Sequence, residues 1–398
     1  MADRIVDILL VGGGIASATA AETLRDEGFD GSILLVGREL DPPYHRPPCS
    51  KGFLQGKEPR EEGLLHPAAW WGEHGVELLT RTGVLELDAG AKTAALSTGE
   101  EVGFHHALLA TGSLVRRLHV DGASLEGIHY LRTAGNSDTI RDDTDHAEQV
   151  VCVGGSYIGC EVAATLTERG KRMTILMQED EPLSRQFGRE AGKLFRAILE
   201  EHGIEIVGGE EVAHFGGEGE RVRAVHTKEG RVLDAQAVVC GVGVTPDIAL
   251  ARKAGLAIGD RGGVRVDSRL RSSAEGIYAA GDIAEYDSVI HGRPMRLEHE
   301  DVAAQQGATA ARNMLGQDRP HDVVPYFFSD LSDWAWLEYV GPAESFDQEI
   351  VRGGGNEFAV WYLEDGRVRG MLSAGGAGDL DRARELIVAG EPVDPDDL

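Results

Sequence analysis

One pattern occurs twice in this chain and constrains its fold more than any other feature. Residues 6–39 read VDILLVGGGIASATAAETLRDEGFDGSILLVGRE: an apolar run, a glycine turn, an amphipathic helical segment, a second apolar run and a closing Glu39. Residues 150–178 read VVCVGGSYIGCEVAATLTERGKRMTILMQ, with Gly154 in the place of Gly12 and VAATLTERG in the place of AAETLRDEG. A strand that turns sharply through glycine into a helix offers backbone N–H groups at the positive helix end, where a pyrophosphate can sit. Gly12 permits the turn, and Gly14 lets those N–H groups approach the phosphates because it has no side chain. Ala16 follows, and Ser17 replaces the usual third glycine while staying small enough for helix and strand to pack. Glu39, 27 residues after Gly12, can accept both hydroxyls of an adenosine ribose. In the second copy Ser156 takes the second glycine place, narrowing the approach without closing it, and Gly159 supplies the third. A lone glycine turn also occurs as plain structure, but two copies point to two nucleotide sites.

The chain has 398 residues, more than the ~250 to 300 over which a single core grows, so two or three domains are expected. A formal net charge of −28, from 67 acidic and 39 basic residues, argues against nucleic acid and anionic membrane surfaces as partners. No apolar run approaches the about 18 residues of a spanning helix, and the first residues show no signal-peptide pattern; a soluble cytoplasmic protein is expected. The four cysteines, Cys49, Cys152, Cys160 and Cys240, form no C-x-x-C pair, which excludes a disulfide framework and a shuttle of neighbouring thiols. The histidines lack ligand spacing, and His105 and His106 alternate across a strand, so no metal is expected.

Between and after the repeats the chain reads in order. Residues 41–56, DPPYHRPPCSKGFLQG, hold too much proline for helix before about Ser50 and form a loop over whatever the first turn binds. Residues 76–104 alternate as antiparallel strands. Residues 105–113 end a buried strand in Ala110-Thr111-Gly112. LDAQAVVCGVGVTPD and IYAAGDI are further buried strands with glycine turns, the second ending in Gly281-Asp282. Residues 297–315 read as a helix with one Ala/Val/Met face. From Pro325 a period-two aromatic pattern, a short helix and a solvated end (VDPDDL) suggest a small α+β domain.

With YHRPPCSKG, both turns, ATG, GVGVTPD, AAGD and LEHEDVA in this order, the chain resembles the FAD-dependent pyridine nucleotide oxidoreductases. Within them it is similar to the branch of ferredoxin reductases, putidaredoxin reductase and apoptosis-inducing factor. The likeness covers essentially the whole chain, including an FFSD segment near the end. It implies an α/β fold with two Rossmann-like dinucleotide-binding domains of glutathione-reductase type and a small α+β C-terminal domain. The implied division is a discontinuous FAD domain (1–117 and 246–322), an NAD(P)H domain (118–245) and a C-terminal interface domain (323–398).

The resemblance also implies roles. Gly12, Gly14 and Ala16 would hold the FAD pyrophosphate and Glu39 the ribose. Lys51 would approach the isoalloxazine, Val84 and Arg132 would touch the cofactor, and Thr111, Gly112 and Gly281 would line it. Asp282 would accept a ribityl hydroxyl. Glu300 would present its backbone N–H to the pyrimidine end, its carboxylate turned away because reduced flavin is itself negative there. Gly154, Ser156, Ile158, Gly159 and Gly243 would hold the nicotinamide dinucleotide. Glu161, two residues into its helix, would meet the nicotinamide end and pair with Lys51, these two being the catalytic candidates; singly, each charge reads equally well as a surface ion pair.

The function implied is hydride transfer from NAD(P)H to FAD, with electrons passed on to a ferredoxin-type iron–sulfur protein. NADH is favoured, although Met177-Gln178 stand where a selective carboxylate usually sits; Glu179 is within reach, and Lys171 and Arg172 are the nearby cations for a 2′-phosphate. Two alternatives stay open: a disulfide or peroxide reductase using Cys49, which sits on a leucine position of the branch motif, and an NADH-binding redox sensor. Arg293 with Arg296, or His45 with Arg46, would supply a basic docking patch. Trp334 and Trp336 either line the flavin pocket or pack. A homodimer stays open.

Overall fold

The computed structural model describes residues 2–398, and the elements below are those of the described residues. The chain divides into two compact units: Met1–His45, Glu61–Leu114 and Thr245–Val323 form one; Arg46–Arg60, Val115–Val244 and Val324–Leu398 form the other.

In the first unit a seven-stranded sheet has a parallel core. Val76–Leu79, Ile33–Val36, Arg4–Val11 and Glu101–Leu109 lie side by side, with Ile277–Ala279 also parallel to Glu101–Leu109. Leu9, Leu10, Leu34 and Leu35 are wholly buried, the continuous apolar pattern of strands covered on both faces. Thr93–Leu96 and Val84–Asp88 complete the sheet as antiparallel strands. The expectation of antiparallel strands from Val76 onward is therefore corrected at its first strand. Val76 pairs in parallel with Ile33, because the intervening chain, with the helix Ala68–Glu73, returns to the starting end of the sheet as a crossover. The helices Ile15–Asp26 and Glu300–Met314 cross so closely that a Cβ on Gly307 would collide with the Ala16 carbonyl.

The second unit repeats the parallel pattern in the order Glu205–Val207, Arg172–Leu176, Gln149–Val153, Ala237–Cys240, Ile128–Tyr130. The two copies correspond residue by residue at the turn. Gly12 N–H donates to the Val36 carbonyl and Gly154 N–H to the Leu176 carbonyl, each at 2.8 Å. The C-terminal segment is a five-stranded antiparallel sheet, Tyr326–Leu331, Ala335–Val340, Arg367–Ala374, Glu357–Glu364, Gln348–Gly354, with the helix Leu380–Ala389.

That sheet packs within its unit on the second copy. The Tyr362 hydroxyl donates to the Phe187 carbonyl at 2.7 Å. Trp334 stacks on His202 at 3.9 Å and donates its indole N–H to Glu168 at 2.9 Å. Trp334 is thus a packing residue of this unit, and Trp336 is half exposed. The chain end, expected to be solvated, is exposed but tethered: Arg352 donates to the carbonyls of Leu398 and Pro395.

Candidate active site

The first turn is built from backbone. Gly12 has φ +123°, and a Cβ there would strike the Ala110 carbonyl, so only glycine suits the position. Gly14 caps the helix Ile15–Asp26 with no side-chain hydrogen bond, and a Cβ on it would meet nothing within 4 Å. First-turn N–H groups lack intrahelical acceptors, so the helix end faces open space with donors and a positive dipole. That arrangement fits a pyrophosphate.

Other expected residues of this unit gather nearby or build adjoining turns. Gly281, at φ +74°, donates its N–H to Gln306 Oε1 at 2.8 Å; a Cβ on it would lie 3.7 Å from that of Ala16. Asp282 accepts from the Ser113 hydroxyl at 2.8 Å. Thr111 Oγ1 donates to the Asp247 carbonyl at 2.6 Å, and the Gly112 carbonyl accepts from Asp247 N–H at 2.8 Å. Glu39 accepts from the Tyr44 hydroxyl at 2.6 Å. Val84 opens the strand Val84–Asp88. Glu300 is the first residue of its helix, whose N-cap residue His299 makes no side-chain cap hydrogen bond. The Glu300 carboxylate is taken up by His45 Nδ1 at 2.7 Å, and that hydrogen bond raises the His45 pKa against the opposing effect of burial.

The second turn is tighter. Gly154 has φ +112°; a Cβ on it would strike the Gly241 carbonyl, and a Cβ on Gly159 would strike the Gly154 carbonyl. Ser156 caps the helix Tyr157–Glu168 in position but makes no side-chain cap. Its hydroxyl donates to the Gly241 carbonyl at 3.0 Å instead, leaving the first-turn N–H groups open. Ile158 lies against Gly241, and Gly243, at φ +95°, lies against Arg116.

Glu161 is not two residues into the helix but the fifth residue of Tyr157–Glu168, because the helix begins directly after Ser156 and absorbs Ile158 and Gly159. Its carboxylate is nearly enclosed. Lys51 Nζ lies 3.0 Å from Glu161 Oε1, with side-chain exposures of 13% and 6%, so the surface-pair reading fails. Ser50 Oγ donates to Glu161 Oε2 at 2.5 Å, and Ser329 Oγ donates to Oε1. Thr165 Oγ1 holds the Ser50 carbonyl at 2.7 Å. Asp330 Oδ2 lies 3.6 Å from Lys51 Nζ; burial raises its pKa, Lys51 opposes this and Glu161 reinforces it. Arg132, also in this unit, binds Asn136 Oδ1 through its N–H at 3.2 Å and accepts Arg46 Nη1 on its carbonyl at 2.8 Å. Reasoning from sequence missed Ser50, Ser113, Gln306, Ser329 and Asp330; the last two stand in the FFSD segment, whose place in the site is set only by tertiary contact.

Further expectations are corrected. Lys171 and Arg172 stand at the far end of the strand Arg172–Leu176 from the turn, held by the Asp145 carbonyl at 3.2 Å and Glu148 at 3.7 Å, so neither serves a ribose beyond Leu176. Arg296 is matched by Glu298 at 2.6 Å and His45 by Glu300, which neutralises much of the expected docking patches. All four cysteines are buried and none is in a disulfide. Burial pushes the thiols of Cys152 and Cys160 up and that of Cys240 to about 12.

Residues 6–307 match the family described as pyridine nucleotide-disulphide oxidoreductase, and residues 326–398 match the reductase C-terminal family. Over 398 residues the chain is 33% identical to the 5,5′-dehydrodivanillate O-demethylase ferredoxin reductase subunit of a Sphingobium species, covering 98% of this chain and 95% of that one. Over 394 residues it is 34% identical to the benzene 1,2-dioxygenase system ferredoxin–NAD(+) reductase subunit of Pseudomonas putida, covering 98% and 94%. The solved covalent putidaredoxin reductase–putidaredoxin complex is similar with a TM-score of 0.92 at 30% identity, covering 100% of this chain and 95% of that one.

Proposed function

The chain belongs to the pyridine nucleotide-disulphide oxidoreductase family, and we propose that it is an FAD-dependent NAD(P)H oxidoreductase that passes electrons to a ferredoxin-type iron–sulfur protein. The observation that carries this reading is the pair of helix ends without a side-chain cap, at Gly14 and Ser156, each preceded by a glycine, Gly12 or Gly154, that tolerates no Cβ. Two dinucleotides are needed to use both. The first unit would hold FAD through Gly12, Gly14, Ala16 and Glu39, with Val84, Thr111, Gly112, Gly281, Asp282 and Glu300; Lys51 and Arg132 are proposed as further contacts. Gly154, Ser156, Ile158, Gly159 and Gly243 would hold the nicotinamide dinucleotide. Bound FAD would supply hydride acceptance and release of single electrons. The part of this chain's residues is to bind, orient and exclude water: a Lys51–Glu161 pair held by Ser50 and Ser329 cannot swing, which suits it to fixing a transfer geometry. We keep the three-part domain division of the sequence as part of this proposal, and the cytoplasm as its location; among the described residues no helix is long and apolar enough to cross a membrane.

The coenzyme follows from the repeat. Glu39 lies three residues beyond Val36, and Glu179 lies three beyond Leu176, the two residues that make the same bond to Gly12 and Gly154. Glu179 is therefore the counterpart of Glu39, where a carboxylate suits a ribose diol and repels a 2′-phosphate. NADH is the proposed donor. Buried Cys49, whose carbonyl is bonded by the Ser137 hydroxyl, gives the thiol alternative no support.

An anaerobic titration of the purified protein with NADH and then NADPH, followed by its visible spectrum, tests the reading. Bleaching of a bound flavin by NADH at a higher kcat/KM than NADPH is expected; a colourless protein that takes up no FAD refutes it. Reduction of ferredoxins is then followed across a salt series. At net charge −28 long-range steering is unfavourable and is screened beyond ~8 Å at physiological salt. No ferredoxin reduced faster than oxygen, with disulfide reduction lost in Cys49→Ser, would replace electron transfer by thiol chemistry.

A further inference from the structure

NADH delivers two electrons and a proton as one hydride, whereas two iron–sulfur proteins each take one electron and no proton. The balance is NADH plus two oxidised acceptors giving NAD⁺, two reduced acceptors and one H⁺. That proton must reach water from an enclosed site.

A row of side chains in the second unit is built to take one. Lys51 Nζ stands between Glu161 Oε1 at 3.0 Å and Asp330 Oδ2 at 3.6 Å, and side-chain exposure rises outward along the row, 6% for Glu161, 13% for Lys51 and 31% for Asp330. With all three ionised the row carries one positive and two negative charges, so a single added proton makes it neutral. The inner end is fixed, since Ser50 and Ser329 donate to the Glu161 oxygens. At the outer end burial, Glu161 and Glu58 all raise the Asp330 pKa, against the pull of Lys51. Those three charged groups are the ones that act on Asp330.

We propose that Glu161, Lys51 and Asp330 form the exit path for the proton released in turnover, with Asp330 as its outlet to solvent. Asp330 takes a proton from the Lys51 ammonium, Lys51 is reprotonated from the enclosed side by way of Glu161, and Asp330 gives its proton to water. Only N–H and O–H bonds break and form, and no electron moves along the row. This rests on the reading of the chain as a reductase of one-electron acceptors. Asp330 acts through Lys51 and is a positioning residue.

The test uses the FAD-bound protein, reduced by NADH and mixed with ferricyanide, a one-electron acceptor that needs no docking surface, with a pH-indicator dye present. In the wild type, reoxidation and proton release rise with pH as Asp330 ionises and then level off. In Asp330→Asn both slow by about tenfold and the rise disappears, because a positioned proton acceptor is lost. The preceding reduction by NADH changes far less, and Asp330→Glu restores the pH profile. Infrared titration of the resting protein gives an independent reading, a carboxylic-acid absorption present in the wild type and missing in Asp330→Asn. Asp330→Asn protein that releases its proton at the wild-type rate with the same pH profile overturns the outlet alone. A wild type that NADH does not reduce overturns the outlet and the reductase reading together.

Discussion

The two glycine turns leave their strands alike and then diverge at three corresponding places. Gly12 and Gly154 both take positive φ and make the same backbone bond to the neighbouring strand. Two residues on, the first copy has bare Gly14 and the second has Ser156, whose hydroxyl is spent on the Gly241 carbonyl. Five residues on, Ser17 is fully buried in the first copy, whereas at Gly159 a Cβ would collide with the Gly154 carbonyl. Seven residues on, the first copy has partly exposed Thr19 and the second has enclosed Glu161. The same backbone thus serves as a plain cradle once. In its other copy the helix is drawn tighter against the turn and bears an enclosed carboxylate paired with Lys51.

The largest effect should come from filling the plain cradle. Because a Cβ at Gly14 meets nothing within 4 Å, Gly14→Leu should fold normally yet exclude the pyrophosphate. Purified variant protein should lack the flavin absorption altogether while its flavin-free thermal melt matches that of flavin-free wild type. Stoichiometric flavin in Gly14→Leu would move the pyrophosphate elsewhere.

Next comes the side chain that only the second copy carries. Removing one partner of an enclosed ion pair strands the other, at about 3 to 5 kcal/mol. If a good part of that falls on hydride transfer, Lys51→Ala slows flavin reduction by NADH by roughly 100-fold, since about 1.4 kcal/mol is a factor of ten. FAD content should fall much less. Thr19→Ala, at the corresponding place in the first copy, should change the rate and stability little, within about 0.5 kcal/mol in stability. Equal reduction rates for Lys51→Ala and wild type in a stopped-flow experiment would make the pair structural.

The contrast also separates what the amino-acid order reveals from what it hides. Both turns were legible because their demands are local: Gly12, Gly154 and Gly159 are set by backbone clashes within a few residues or with the adjoining strand, and Gly14 by its place at the helix end. The parallel cores were legible from continuous apolar runs. The parallel pairing of Val76–Leu79 with Ile33–Val36 was not, since alternation along a strand carries no information on the direction of its neighbour. The surroundings of Glu161 were hidden for a related reason. Ser50, Asp330 and Ser329 come from segments more than a hundred residues away in sequence, and nothing in their local pattern marks Ser50 and Ser329 as donors to Glu161 or Asp330 as a neighbour of Lys51. Glu179 was visible, but its equivalence to Glu39 required the strand register.

A smaller effect tests whether the second turn is truly the tighter one. Gly159→Ser copies Ser17 into it and forces a Cβ into the Gly154 carbonyl, which overpacking data place at about 1 to 3 kcal/mol. The variant should melt at a lower temperature and bind NADH more weakly, with flavin content unchanged. Unaltered NADH affinity and stability would mean that the two turns are equally roomy and that the divergence is neutral.

The smallest effect concerns the reciprocal position and has the opposite sign. Ser17 Oγ is buried and finds no hydrogen-bond partner among the described residues, a state that costs a hydroxyl roughly 1 to 3 kcal/mol of lost hydration. Ser17→Ala keeps the Cβ that the first turn accommodates, removes the stranded oxygen and replaces a middling helix former by the best one, itself a gain of up to about 0.5 kcal/mol. The variant should therefore be more stable than wild type by about 1 kcal/mol, read as a rise of a few degrees in the flavin-free melt. Repeating the melt with FAD bound completes the test. A gain present in both states means the hydroxyl is idle; a gain without FAD that turns into a loss with it means that Ser17 meets the cofactor, and the first turn would then carry a working side chain of its own.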